Sequence, residues 1–276
     1  MTSSFDWTGR VGDVWADEWR RTDRSFADMS RHLDAAILSA APEAGKAIDI
    51  GCGAGGTSIA LATARPGLAV TGIDLSPSLI AIATERGAAH ANLSFRVADA
   101  RSLAGSGADL LFSRHGVMFF DDPVAGFADL RSATRPGGRI VFSCFRPRAD
   151  NSWALVVDEA VGNDNSPPAG YAPGPYGLAD RDFTANMLAE AGWTGATPQA
   201  VDFTYVGGAG DDPVEDALGF FSRIGSAARA MADATPERRD KMRDALRAAL
   251  ARHVHDGAVT FFAGAWIWTA TNGEAA

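Results

Sequence analysis

Two periodicities alternate along this chain. Short apolar runs of strand length occur at Ala47–Ile50, Leu68–Leu75, Leu93–Val97, Asp109–Ser113 and Arg139–Phe145. Between them, Thr57–Ala64, Pro77–Arg86 and Asp129–Thr134 carry helical spacing, and Arg135-Pro136-Gly137-Gly138 reads as a sharp turn. Asp28–Ala41, with Met29, Leu33, Ile37 and Leu38 on one face, reads as a helix ahead of the first strand. Downstream, Asn151–Val161, Asp180–Ala191 (ended by Gly192), Val214–Ser226 and Pro236–His253 read as helices. Thr197–Val206 and the alternating Ala258–Thr271 read as strands. Strand and helix in regular succession predict an α/β fold.

The stretch Lys46–Thr57, KAIDIGCGAGGT, is the organising feature. A strand runs into a glycine bend and then a helix, the first half of a nucleotide-binding βαβ unit. Glycine lets a ligand lie directly on the backbone there. Asp74 closes the second strand about 20 positions further on. Its acceptor-only, two-pronged carboxylate suits the two hydroxyls of a ribose. The glycines follow G-x-G-x-G (Gly51, Gly53, Gly55), not the G-x-G-x-x-G of dinucleotide enzymes. This spacing points to a ribose-bearing cofactor without phosphates, such as S-adenosylmethionine.

With DIGCGAGG (49–56), TGIDLSPS (71–78), FRVADA (95–100), ADLLFSRHGVMFF (108–120) and RPGGRIVFSCF (135–145) in order, the chain resembles the class I S-adenosylmethionine-dependent methyltransferases. The Trp-rich start and final strand are similar to a bacterial subgroup acting on small molecules. The resemblance implies a Rossmann-like seven-stranded mixed sheet, its last strand antiparallel between the fifth and sixth, flanked by helices with helical lid insertions. It implies cofactor contacts from Asp49, Gly51, Cys52, Gly53, Gly55, Asp74, Leu75 and Ser113. Asp99, between Ala98 and Ala100, would accept from the adenine amino group; on the residues alone, Asp99 equally reads as the cap of a turn.

Trp7, Trp15 and Trp19 crowd the start of the chain. They read either as a helix packed on the core edge or, as the resemblance implies, as a flap closing over the cofactor. Trp15 is then the candidate cofactor contact and Arg20 the candidate for its carboxylate. The expected organisation is a flap (1–42), a cofactor-binding core (43–145), lid or substrate-pocket insertions (146–178 and 207–257), and segments completing the sheet (179–206 and 258–271). In this arrangement the insertions and the flap meet at the carboxyl ends of the strands. They enclose an apolar pocket with Met118, Phe119, Trp153, Tyr171, Tyr176, Phe220 and Phe221 as candidate walls, each of which also reads as core.

The net charge of −9, with Lys46 and Lys241 the only lysines, argues against nucleic acid as main substrate. No apolar run is of membrane-spanning length and the start lacks a secretory pattern, so a cytoplasmic location is expected. Cys52 and Cys144 suggest no disulfide framework. No metal is expected: His253-Val254-His255 has no placed carboxylate and reads as a solvated helix end.

Methyl transfer to a nucleophile is an in-line displacement with a neutral thioether leaving. It needs a base only when the nucleophile is protonated and weak. His115, beyond the fourth strand, is the candidate base, or else a hydrogen-bonded wall residue. Asp121 and Asp122 read better as helix caps ahead of Pro123. The stretch Ser113-Arg114-His115-Gly116 lacks the Asn/Asp-Pro-Pro-Tyr/Phe sequence used on exocyclic amino groups, which favours a small, partly apolar substrate. Alternatives are a non-catalytic S-adenosylmethionine-binding protein, a protein or RNA methyltransferase, and an NAD-dependent dehydrogenase. Against the last stands the absence of Tyr-x-x-x-Lys. An oligomer is compatible with all of these readings.

Overall fold

The computed structural model describes residues 7–164 and 170–273. Its centre is a twisted sheet in the order β3-β2-β1-β4-β5-β8-β6. The strands are β1 (Gly45–Ile50), β2 (Leu68–Asp74), β3 (Leu93–Val97), β4 (Ala108–Arg114), β5 (Thr134–Phe145), β6 (Thr194–Gly208) and β8 (Ala258–Thr271). A two-residue β7 (Val254–His255) pairs with the start of β8. Strands β1 to β5 are mutually parallel, and β8 runs antiparallel between β5 and β6. The expected Rossmann-like mixed sheet is therefore present.

Strands β1, β4 and the last half of β5 are apolar on both faces because helices cover both sides. Leu110, Leu111, Phe112, Val141 and Phe142 are fully buried. On one face lie α3 (Ala27–Ala40) and α4 (Gly56–Ala64); Met29, Leu33 and Ile37 of α3 are buried at helical spacing. Helices α5 (Pro77–Gly87), α6 (Pro123–Ser132) and α8 (Arg181–Glu190) complete the layers. Several helices start the same way. Ser76, Asp122, Asp212 and Thr235 each cap the first turn through their side chains, with proline next in sequence. The cap accepts an otherwise unpaired N–H, and proline removes another.

The order reverses between β1 and β4, and the two strand ends meet there glycine on glycine. A Cβ on Gly51 would lie 3.1 Å from Gly116 Cα, and one on Gly116 would lie 2.6 Å from Ile50 O. Ser113 Oγ donates to Ile50 O at 2.7 Å and accepts from Gly116 N at 3.1 Å, fixing both ends. Gly55 does a different job. With φ +80°, a Cβ there would lie 2.7 Å from Phe95 Cζ and 3.0 Å from Ala83 Cβ. Gly55→Ala is expected to destabilise by about 2–4 kcal/mol, combining left-handed strain and overpacking. A urea melt checks this; an unchanged midpoint would mean that the bend tolerates a side chain.

Four expectations need correction. The helix placed at Asp129–Thr134 begins at Pro123, because Asp122 accepts from Ala125 N at 3.0 Å and starts it early. The turn at 135–138 is a bulge inside β5, held by Gly137 N to Asn272 O (2.7 Å) and Asn272 N to Gly138 O (2.8 Å). Val214–Ser226 is not one helix but α9 (Pro213–Phe221), followed after a break at 222–224 by α10 (Gly225–Ala232), whose first residue, Gly225, has φ +85°. His253–His255 is not simply a helix end, since Val254–His255 forms the hairpin strand β7 and His253 packs on Phe261 at 4.7 Å.

Between β6 and β7 the chain runs through α9, α10 and α11 (Pro236–Ala251). The segment after β5 forms α7 (Ser152–Val161), and α11 packs against α7 and α9. Asn151 anchors α7: its Nδ2 donates to Arg146 O at 3.1 Å and its Oδ1 accepts from Gly264 N at 3.2 Å. Part of the Pro/Gly stretch 163–177, residues 165–169, lies outside the described residues. The chain's start forms α1 (Arg10–Asp17) and α2 (Trp19–Ser25), breaking at Glu18.

Candidate functional site

A cavity of about 430 Å³ opens at the carboxyl ends of β1, β2 and β4, where the strand order reverses. In open α/β sheets this crevice is where ligands bind. Trp15, Asp49, Gly51, Cys52, Gly53, Asp74, Leu75, Ala98, Asp99 and Ala100 line one part of it. His115, Met118, Phe119, Trp153 and Phe220 line the rest. Five other expected residues are not among those that line it. Gly55 packs behind the bend on Phe95. Ser113 is spent on Ile50 and Gly116. Tyr176 lies behind Phe145 at 5.9 Å. Arg20 is exposed, its guanidinium over the Trp19 ring at 4.4 Å. Tyr171 is also drawn away, donating to Phe120 O and stacking on Phe183.

Asp74 sits at the end of β2 with each oxygen on a backbone N–H: Oδ2 on Gly53 N and Oδ1 on Ser76 N, both at 2.9 Å. The carboxylate therefore shapes the glycine bend as well as facing the cavity. Burial raises its pKa, and the backbone donors counter part of that. A carboxylate has about four acceptor sites, so these donors leave acceptor capacity for a ligand.

Asp49, at the end of β1, is fully buried. Its Oδ2 accepts from Ser58 Oγ at 2.6 Å, while Oδ1 has no partner among the described residues. Burial pushes its carboxyl up to about 7. The Ser58 bond and the Arg114 charge work against that rise, and Asp74 and Asp34 add to it. An orphaned buried acceptor beside a glycine bend is a place for a donor. Asp99 holds Arg101: Oδ1 accepts from Arg101 N at 2.9 Å and Oδ2 from Nη2 at 2.6 Å. It thus caps the short 3-10 turn at Ala100–Leu103, as the bland reading of this residue has it, and still lines the cavity.

Among the described residues, His115 is the one non-glycine lining residue with positive φ, 59°. Its Nδ1 lies 2.8 Å from Ser143 Oγ, and its Nε2 is buried without a partner among the described residues. Burial, aided by Arg114, lowers its pKa to about 3, so the ring is neutral at working pH. Burial raises the Cys52 thiol well above the usual range, which leaves no reactive thiolate in the bend.

The start of the chain covers this cavity. Trp7, Trp15, Trp19, Thr22, Asp23 and Phe26 all line it. Asp23 bridges Arg86 at 3.0 Å and Arg114 at 2.6 Å, and Arg86 also donates to Ala54 O in the bend. Asp13 accepts from Ser78 Oγ on α5, and Arg21 and Arg24 pair with Asp216 on α9, each at 2.7 Å. Sequence reasoning missed Asp23, Phe26, Phe145 and Tyr205 as lining residues. Single aromatic positions on separate elements carry no spacing signal that would place them together.

The methyltransferase-domain family matches residues 48–142, which run from β1 into β5. Malonyl-[acyl-carrier protein] O-methyltransferase of Hahella chejuensis is 35% identical over 147 residues, covering 52% of this chain and 48% of that protein. Demethylmenaquinone methyltransferase of Thermus thermophilus is 30% identical over 157 residues, 55% of this chain and 66% of that one. The chain thus spans about half the length of the first relative and just under two thirds of the second. Phosphoethanolamine N-methyltransferase 2 of Haemonchus contortus, solved in complex with S-adenosyl-L-methionine, shares the fold. Its TM-score is 0.58 at 19% identity, covering 99% of this chain and 61% of that one. A glycine bend closed by an acidic second strand, a seven-stranded order with β8 antiparallel, and these relatives together make the core of the chain, residues 48–142, similar to the methyltransferase domains of that family.

Proposed function

We propose that this chain binds S-adenosylmethionine in the cavity and transfers its methyl group to a small, largely apolar molecule. The observation that carries the reading is the Asp74 carboxylate, which is anchored to the glycine bend by one oxygen and has acceptor capacity left toward the cavity. That acceptor pair suits a ribose. The orphaned Asp49 Oδ1 suits the ammonium of the amino-acid end. Asp99, with Ala98 and Ala100 beside it, suits the adenine. Trp15 and its neighbours form the cover as the flap, with Cys52 a small filler of the bend.

The bound cofactor supplies an electrophilic methyl on a sulfonium. The chain's own contribution is to hold the two reactants in line and to keep water out. The aromatic residues Trp7, Trp15, Trp19 and Phe119 serve the exclusion, with Trp7 edge-on to Phe119 at 5.3 Å. His115, neutral and low in basicity, serves better as a hydrogen-bonding wall residue than as a base. The test is transfer of radiolabelled methyl from S-adenosylmethionine to a panel of small phenols, hydroquinones and amines. Extractable labelled product is expected, and label confined to protein or RNA would overturn the reading.

The high pKa of Asp49 makes binding pH-dependent. A cation at Oδ1 favours the carboxylate, so ligand binding expels the proton. S-adenosylhomocysteine should bind roughly tenfold more tightly at pH 8 than at pH 6, and Asp49→Asn should flatten the profile. Calorimetry in two buffers of different ionisation enthalpy reads the released proton; a flat wild-type profile would detach Asp49 from the ligand. In the free protein the same shift acts on stability. The folded state keeps a proton that the unfolded chain loses near 4, so this stabilisation is full below that pH and lost as the pH rises through about 7.

A further inference from the structure

Beyond the glycine bend, we infer that the cavity receives the flat ring of a neutral, hydroxyl-bearing molecule, held by a hydrogen bond between that hydroxyl and His115 Nε2. This names a substrate class for the proposed methyl-transfer site and rests on that reading.

The walls carry the first part of the argument. Trp153 lies nearly parallel to Tyr205 (5.0 Å between ring centroids, 14°) and to Phe221 (6.4 Å, 14°). The His115 ring is held between Phe26 at 4.8 Å and Phe145 at 4.4 Å. All of these residues line the cavity. Stacked on one another, these rings build a wall of aromatic carbon, against which an aromatic ligand packs well.

Charge carries the second. None of these rings supplies a full charge. The nearby Arg114 is committed to Asp23 at 2.6 Å, and Asp23 also to Arg86. A phosphate or carboxylate placed among the rings would lose its hydration without a compensating cation.

The polar handle carries the third. His115 is only 7% exposed and its Nε2 has no partner among the described residues. Either atom of the Ser143 Oγ–His115 Nδ1 pair can be the donor, so Nε2 is left as an acceptor or as a donor accordingly. A hydroxyl both donates and accepts and satisfies Nε2 in either tautomer. An ammonium only donates and a ketone only accepts. The hydroxyl serves recognition here, whichever atom of the molecule is methylated.

Calorimetric binding to the protein saturated with S-adenosylhomocysteine tests this, using 1-naphthol, naphthalene, 1-naphthoate and 1-naphthylmethylammonium as probes. The expected result is 1-naphthol bound roughly tenfold more tightly than naphthalene, with both ions weaker. His115→Phe should erase the hydroxyl preference. Since φ 59° makes that variant strained, His115→Asn, which tolerates the left-handed region, should retain part of it. Equal binding of naphthol and naphthalene to the wild type would overturn the hydrogen bond. Tightest binding of the ammonium would make the rings a cation box, and tightest binding of naphthoate would reveal an unbalanced positive charge. Either result overturns the proposal. Failure of S-adenosylhomocysteine to bind at all refutes the methyl-transfer reading. Its binding without any naphthol binding refutes only this inference.

Discussion

Asp74→Ala is expected to weaken S-adenosylhomocysteine binding by roughly 10- to 150-fold. Hydrogen bonds to a charged group contribute about 1.5–3 kcal/mol, and about 1.4 kcal/mol is tenfold. The same carboxylate accepts from Gly53 N and Ser76 N, so its removal also loosens the bend that the ligand lies on. Asp74→Asn separates the two effects, because it keeps one acceptor oxygen and loses the charge. It should fall between the wild type and the alanine variant. Isothermal titration reads the affinities, and a thermal melt shows whether each variant is folded. An Asp74→Ala protein that binds as tightly as the wild type would take this residue out of the site.

The second large effect is expected at Asp23. One carboxylate ties α2 to the glycine bend through Arg86 and to the end of β4 through Arg114. These side chains are only 16–25% exposed, so Asp23→Ala leaves two part-buried guanidinium groups without this partner. The expected cost is about 2–3 kcal/mol, less than for a fully buried pair because water still screens it. With the start of the chain less firmly held, dissociation of S-adenosylhomocysteine should be at least about tenfold faster, since about 1.4 kcal/mol suffices for that. Asp17→Ala is the control. Its partner Arg223 is exposed, and exposed pairs contribute well under about 1 kcal/mol. Stopped-flow displacement and denaturant melts compare the two variants; Asp23→Ala behaving like Asp17→Ala would mean that the ion-pair bridge does not hold the cover.

Much of the fold was legible because strand and helix periods differ strongly in this chain. Leu93–Val97 and Ala258–Thr271 are strands at the expected bounds. The glycine bend with Asp74 follows from local spacing, and the structure places both at one cavity. What local pattern could not convey was convergence. Phe26, Phe145 and Tyr205 come from α2's end, β5 and β6, and only the tertiary fold sets Phe26 and Phe145 on His115 and Tyr205 on Phe26. Arg20 and Arg21 look alike in sequence. Yet the helix turns Arg20 outward over Trp19, while Arg21 reaches Asp216 on an element nearly two hundred residues away. The break at 222–224 escaped because helical composition continues across it, while the backbone leaves the helix at Ile224 and is left-handed at Gly225. The neutrality of His115 was likewise invisible, because it is a property of burial, not of residue type.

The central claim is that a phosphate-free, ribose-bearing methyl donor lies across the glycine bend with Asp74 on its sugar. The most direct test is a crystal structure of the protein grown with S-adenosylhomocysteine and, in parallel, with NAD. The account predicts the homocysteine ligand in the cavity, its ribose hydroxyls within hydrogen-bond distance of the Asp74 carboxylate, and no dinucleotide bound. A dinucleotide in that cavity, or S-adenosylhomocysteine bound elsewhere with Asp74 untouched, would contradict it.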